Sequence, residues 1–162
     1  SKFIVNINFK NWQKDSCQFA KFVFKNLFKM NTLLGNITEI TTEGYLSLVK
    51  IKVQQTLLTS IVIDTPETAH YLKIGNSLKV LFKETEVILA KKITGIISLQ
   101  NKIDCTVDSF EKGKLLCKIK LRFGNYTIVS VITRTAFDQL NIQEKDEITA
   151  MIKTNEISLS HD

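Results

Sequence analysis

The chain says nearly the same thing twice, which constrains it to fold as two copies of one unit packed against each other. Lys83-Glu-Thr-Glu-Val-Ile-Leu89 is answered 70 positions on by Lys153-Thr-Asn-Glu-Ile-Ser-Leu159, and an Asn (Asn31, Asn101) precedes each Lys by 52 positions. A β-rich unit of that length, repeated in tandem, buries one copy against the other.

The size allows it: 162 residues, 44% of them hydrophobic, with a single proline, can build a core as one domain or two small ones. No run approaches the roughly 20 apolar residues of a membrane helix, and no secretory leader pattern opens the chain, so a cytoplasmic address without a membrane partner is expected. Cys17, Cys105 and Cys117 form no C-x-x-C pair. Their odd number argues against a secreted disulfide framework, and they are expected as reduced thiols in small apolar positions.

The net charge of +6 is unevenly spread. Residues 1–30 carry +5, residues 31–92 carry +1, and residues 93–162 are neutral. A polyanion such as DNA would therefore be met by the N-terminal segment and not by the repeats. That segment reads as a short strand, Phe3 to Phe9, followed by an amphipathic helix. Trp12, Phe19, Phe22, Val23 and Leu27 recur at helical spacing with Lys14, Lys21 and Lys25 between them. Such a helix packs on the repeats or on a partner subunit, or contacts a membrane surface or nucleic acid; thirty residues are too few for a winged-helix DNA reader.

Beyond Asn31 the period becomes alternating. Strands are expected over 35–40, 46–53, 57–63, 78–83 and 87–89, with a helical turn opening at Thr65-Pro66-Glu67. The second copy repeats this with strands over 105–110, 115–121, 127–132, 147–153 and 157–159, and a short helix after Thr133. Val87-Ile88-Leu89 should close the first unit and Ile157-Ser158-Leu159 the second. The fold class expected is mainly β: two five-stranded OB-like barrels, residues 31–92 and 93–162, behind an N-terminal strand and helix.

These residues resemble the Mop, or TOBE, domains of molybdate-binding proteins in their tandem form. The family opens its unit with Ser-Ala-Arg-Asn-x-x-x-Gly, places Thr-x-x-Ser before the short helix, and ends with a Lys ahead of an acidic residue and a Val-Ile-Leu-like strand. Here the opening phrase reads Phe28-Lys29-Met30-Asn31-Thr32-Leu33-Leu34-Gly35 in the first copy and Ser98-Leu99-Gln100-Asn101-Lys102-Ile103-Asp104-Cys105 in the second. The Thr element reads Thr65-Pro66-Glu67-Thr68 and Thr133-Arg134-Thr135-Ala136, and the closing Lys is Lys83 or Lys153. The family's Arg is replaced by Met30 and Gln100, which leaves Lys29 as the nearest cation in the first phrase.

The resemblance implies a molybdate or tungstate oxyanion as ligand and a site where units meet. A tetrahedral dianion needs converging N–H and O–H donors and a positive charge. The set it implies is Lys29, Met30, Asn31, Thr65, Thr68 and Lys83 from the first copy, with Ser98, Gln100, Asn101, Thr133 and Lys153 from the second. The bland alternative is that these are strand-end, turn and cap residues of a duplicated scaffold that has lost binding.

Catalysis is not expected. His70 and His161 are the only histidines, neither falls in metal-ligand spacing, and Asp104, Asp108 and Glu111 lie around one strand and turn as solvated acids. No P-loop, dinucleotide glycine phrase or nucleophile elbow occurs. The reading is an intracellular oxyanion-binding protein for sensing, as an effector domain in transcription regulation, or for storage, assembled at least as a dimer. The other classes are a regulatory domain of a molybdate ABC-transporter ATPase, and a dimerising DNA- or protein-interaction module.

Overall fold

The computed structural model describes residues 29–161. The expected N-terminal strand and basic helix, and Cys17, lie outside the described residues. Ten strands follow in order: β1 (Met30–Glu43), β2 (Leu46–Val53), β3 (Thr56–Val62), β4 (Ser77–Lys83), β5 (Ile88–Ala90), β6 (Asn101–Lys112), β7 (Leu116–Phe123), β8 (Tyr126–Thr133), β9 (Glu147–Ile152) and β10 (Ser158–Ser160). One helix, α1 (Arg134–Leu140), and two 3-10 turns, Glu84–Glu86 and Thr154–Glu156, complete the set among the described residues.

Alternation explains why these segments are strands. In β1, Asn31, Leu33, Gly35 and Ile37 are buried while Met30, Thr32, Leu34 and Asn36 face out, the two-residue period of a pleated strand with one face on a core. β1 is longer than expected, because the opening phrase is itself strand and not loop. The second copy behaves alike: β6 starts at Asn101.

The strands form two five-stranded sheets, in the orders β10-β4-β1-β2-β3 and β5-β9-β6-β7-β8. The closing strands do not close their own units. Ser158 and Leu159 of β10 lie opposite Leu81 and Val80 of β4, and Ile88 and Leu89 of β5 lie opposite Met151 and Ala150 of β9. Each copy lends its last strand to the other's sheet. Sequence alone could not see this, since Ile88–Ala90 presents the same short apolar edge to either sheet, and chain connectivity decides which one is in reach. Each sheet is an OB-like half-barrel completed by its partner copy.

The bending device is duplicated too. β1 carries a bulge between Ile37 and Glu39, and β6 carries one between Val107 and Ser109, 70 positions on. A bulge bends and twists its strand, which curls a five-stranded sheet into a half-barrel. The two β-hairpin tips then meet: the side chain of Gln54 fills the space where a Cβ on Gly124 would lie. A side chain there would have to displace the flexible end of Gln54, and the φ of 54° is one that Gly adopts without strain.

The core is continuous across the copies, with Leu33, Ile51, Leu58, Val80 and Phe82 from one and Ile103, Ile119, Leu121, Ile128 and Ile152 from the other. Cys105 and Cys117 are buried free thiols, as expected, and burial pushes the Cys105 thiol up to about 12, far from a reactive thiolate at neutral pH.

Candidate functional site

The two asparagines that mark the repeat do the same work at symmetric places. Asn31 Nδ2 donates to Val129 O at 2.9 Å, and Asn31 Oδ1 accepts from Val129 N at 2.8 Å. Asn101 Nδ2 donates to Thr59 O at 2.9 Å, and Asn101 Oδ1 accepts from Thr59 N at 2.7 Å. A carboxamide carries one acceptor and one donor side by side, so it pairs with a backbone N–H and C=O as a neighbouring strand would. Each Asn thereby fastens the start of its own first strand to the third strand of the other copy. Neither is a turn residue, and both amides are taken up within the protein.

Two serines add to the seam. Ser60 Oγ donates to Ile157 O and Ser130 Oγ to Val87 O, both at 2.8 Å and both buried. They join each third strand to the chain entering the exchanged strand. Sequence reasoning passed them over, although a signal existed: they too are 70 positions apart.

Of the remaining candidates, Lys29, Met30, Lys83, Gln100 and Lys153 gather at two corners. At the first, Met30 lies opposite Lys83 in the β1–β4 ladder, and Glu84 N donates to Lys29 O at 3.1 Å, so the opening phrase and the closing Lys sit side by side. At the second, Gln100 and Lys153 flank the last pair of the β6–β9 ladder, Asn101 with Ile152. Lys29, Met30, Lys83, Ser98, Gln100 and Lys153 are all exposed. The clamps bring the third strand of the other copy to each corner.

The threonines serve local structure. Thr133 caps α1, its Oγ1 accepting from Ala136 N at 3.2 Å. Thr65 and Thr68 hold the equivalent turn in the first copy, where Thr65 N donates to Thr68 Oγ1 at 2.9 Å and Ala69 N to Thr65 O at 2.8 Å. That stretch is a single hydrogen-bonded turn and not a helix. Thr133 stands four positions beyond Val129 on β8, roughly 13 Å at strand rise, so it is out of direct reach of Asn31. Thr133→Ala should lower the unfolding free energy by about 1 kcal/mol and Thr133→Ser by only a few tenths; chemical denaturation of both checks the cap.

Two surface depressions lie elsewhere. One, of about 760 Å³, runs along Asp104–Thr106 and Lys145–Thr149; the other, of about 640 Å³, runs along Leu34–Thr38 and Ile74–Ser77. They occupy equivalent places in the two copies, and no candidate oxyanion residue lines either. In the first, Lys91 Nζ binds Asp146 at 2.7 Å and Thr149 Oγ1 binds Asp104 at 3.1 Å. Of the acids read as solvated, Asp108 also has a surface partner, meeting Arg122 at 3.2 Å. His161 stacks on Tyr71 with ring centroids 4.9 Å apart, and His70 is exposed. Among the described residues no group of three or more His, Cys, Asp or Glu could hold a metal ion, and no helix is long and apolar enough to cross a membrane.

Exchanged OB-like half-barrels with paired corners define a tandem β-barrel architecture. Residues 97–159, within the second copy, match the TOBE domain family. The fold of the described body is that of the cytoplasmic molybdate-binding protein ModG, solved with molybdate bound: the two share a TM-score of 0.75 over 82% of this chain and 96% of that one, at 23% identity. No curated protein matches the chain in sequence. The Mop/TOBE resemblance read from the opening phrases and closing lysines is thus met by the fold and, over residues 97–159, by the family match.

Proposed function

We propose that this protein binds a tetrahedral oxyanion, molybdate or tungstate, inside the cell, and does no catalysis. The observation that supports it best is the construction of the corners: in each copy the opening phrase and the closing Lys lie side by side at a sheet end, and the Asn clamp holds the other copy's third strand against them. The first corner then offers the exposed ammonium groups of Lys29 and Lys83, and the second that of Lys153 beside the Gln100 amide, which suits a small dianion better than the long basic groove a nucleic acid requires. The TOBE match and the ModG-like fold agree with this reading, and ModG's cytoplasmic address agrees with that expected here. Residues 31–92 and 93–162 are the two units, exchanging their last strands. The anion is held for sensing or for storage, in an assembly of at least two chains.

Isothermal titration with molybdate, with tungstate and sulfate as comparisons, tests it. Binding of the first two at micromolar concentration or tighter, with sulfate silent, is the expected result; silence from all three would remove the reading. Molybdate and sulfate share charge and shape, so a cavity sized for the longer metal–oxygen bonds must tell them apart. Lys83→Met and Lys153→Met should each weaken their own corner about tenfold or more, the magnitude of one charge-assisted hydrogen bond. Both lysines are exposed, so thermal stability should hardly change. Unchanged affinity in both variants would place the anion elsewhere.

A further inference from the structure

Where the two copies meet, the asparagine clamps and the Ser60 and Ser130 bonds repeat from one copy to the other after a shift of 70 positions. One buried contact between the copies has no such counterpart. Glu84 opens the turn that carries the chain from β4 to β5 and is only 5% exposed. Its Oε2 lies 3.5 Å from Nζ of Lys118 on β7 of the other copy, with side-chain exposures of 6% and 11%. That oxygen is buried without a hydrogen-bond partner, so the lysine charge is what offsets its removal from water. At the equivalent place in the other copy stand Thr154 and Leu48, and no charge pair can form there.

We propose that Glu84 and Lys118 are a charge key that lets a first half pair with a second half and not with another first half. The asparagine clamps and the serine bonds do not make that choice. Both halves carry the clamp Asn and the seam Ser, and both aim them at backbone groups, so Asn31 would grip Thr59 of a second first half as readily as it grips Val129. Strand exchange supplies the route to such mispairing, since a last strand lent outward can be lent to another chain. Pairing two first halves would set Glu84 against Leu48 at both symmetric places, and pairing two second halves would set Lys118 against Thr154. A buried carboxylate facing an aliphatic chain is strongly disfavoured, and specificity between near-identical partners rests on such penalties. The seam therefore fits one partner: a complementary half, from the same chain or a second copy.

The test uses the full chain carrying E84T and K118L together, each residue taken from its equivalent in the other copy. Refolded from denaturant, the wild type should return to one assembly state by native mass spectrometry. The double variant should give a mixture with added concentration-dependent species. A double variant that refolds to the single wild-type assembly would overturn the key. E84T and K118L alone should each lower Tm by roughly 10 °C, and together they should recover most of the loss; additive losses would show that the two groups are not coupled. Should the double variant fail to fold, E84K/K118E decides: the reversed pair should regain both the Tm and the single assembly, and its failure on either count overturns the proposal.

Discussion

Asn101→Ala should lower the unfolding free energy by roughly 2 to 4 kcal/mol, two lost hydrogen bonds with their buried partners left unmet. Asn101 is 1% exposed, and Thr59, whose N–H and C=O it satisfies, is 8% exposed. Alanine removes both partners at once and leaves a gap where the amide stood, and water has little access to repair the pair. Asn31→Ala should follow with a smaller loss, because its clamp on Val129 is only partly buried. Asn101→Asp tests the mechanism against mere packing: it keeps the shape and the acceptor for Thr59 N–H, but sets a carboxylate oxygen against Thr59 O, so it should cost at least as much as alanine. Urea denaturation followed by circular dichroism reads all three. A loss under about 0.5 kcal/mol for Asn101→Ala would mean that the seam rests on the core alone.

The clamp also shows where sequence reading stops. Asn31 and Asn101 were visible as a matched pair at a fixed distance from Lys83 and Lys153, and the alternation of Leu33, Gly35 and Ile37 made the following residues strand. What Asn31 does with its amide depends on Val129, 98 residues away, and no local pattern encodes that distance. The exchange of β5 and β10 was hidden for a related reason. Three apolar residues such as Ile88-Leu89-Ala90 satisfy either sheet edge, and the choice is made by how far the chain must travel after Glu86.

The candidate site was legible to a similar depth. The order of opening phrase, Thr element and closing Lys brought Lys29, Met30 and Lys83 to one corner and Gln100 and Lys153 to the other. The same order could not say that the Thr133 hydroxyl already serves Ala136 N as a helix cap, since Thr before a helical segment has the same sequence signature in either role. Nor could it show that Glu84, read as part of a closing phrase, is buried against Lys118. Charge pairs across a seam become visible only when the seam is built.

Gly35→Ala should destabilise the protein by about 2 to 3 kcal/mol, against the usual sense of that substitution in a strand. Alanine normally gains over glycine there by restricting the unfolded chain. At position 35 a Cβ would come within 2.6 Å of Ile51 Cγ2, 2.7 Å of Val53 Cγ2 and 2.8 Å of Lys52 O. The methyl groups belong to fully buried β-branched side chains with few alternative rotamers, and the third atom is backbone in the adjoining strand. Relief therefore requires β1 and β2 to separate, which disturbs their ladder beside the Ile37 bulge and costs in the range seen for overpacked cores. The second copy places Cys105 at the same position, with Leu121 and Phe123 where the first has Ile51 and Val53. There the Sγ fits and donates to Ile103 O at 3.4 Å, so the constraint comes from the neighbours and not from the fold. Transplanting those neighbours should then relieve it: Gly35→Ala in a background of Ile51→Leu should cost measurably less than in the wild type. An equal cost in both backgrounds would shift the cause to Val53 Cγ2 or the Lys52 carbonyl.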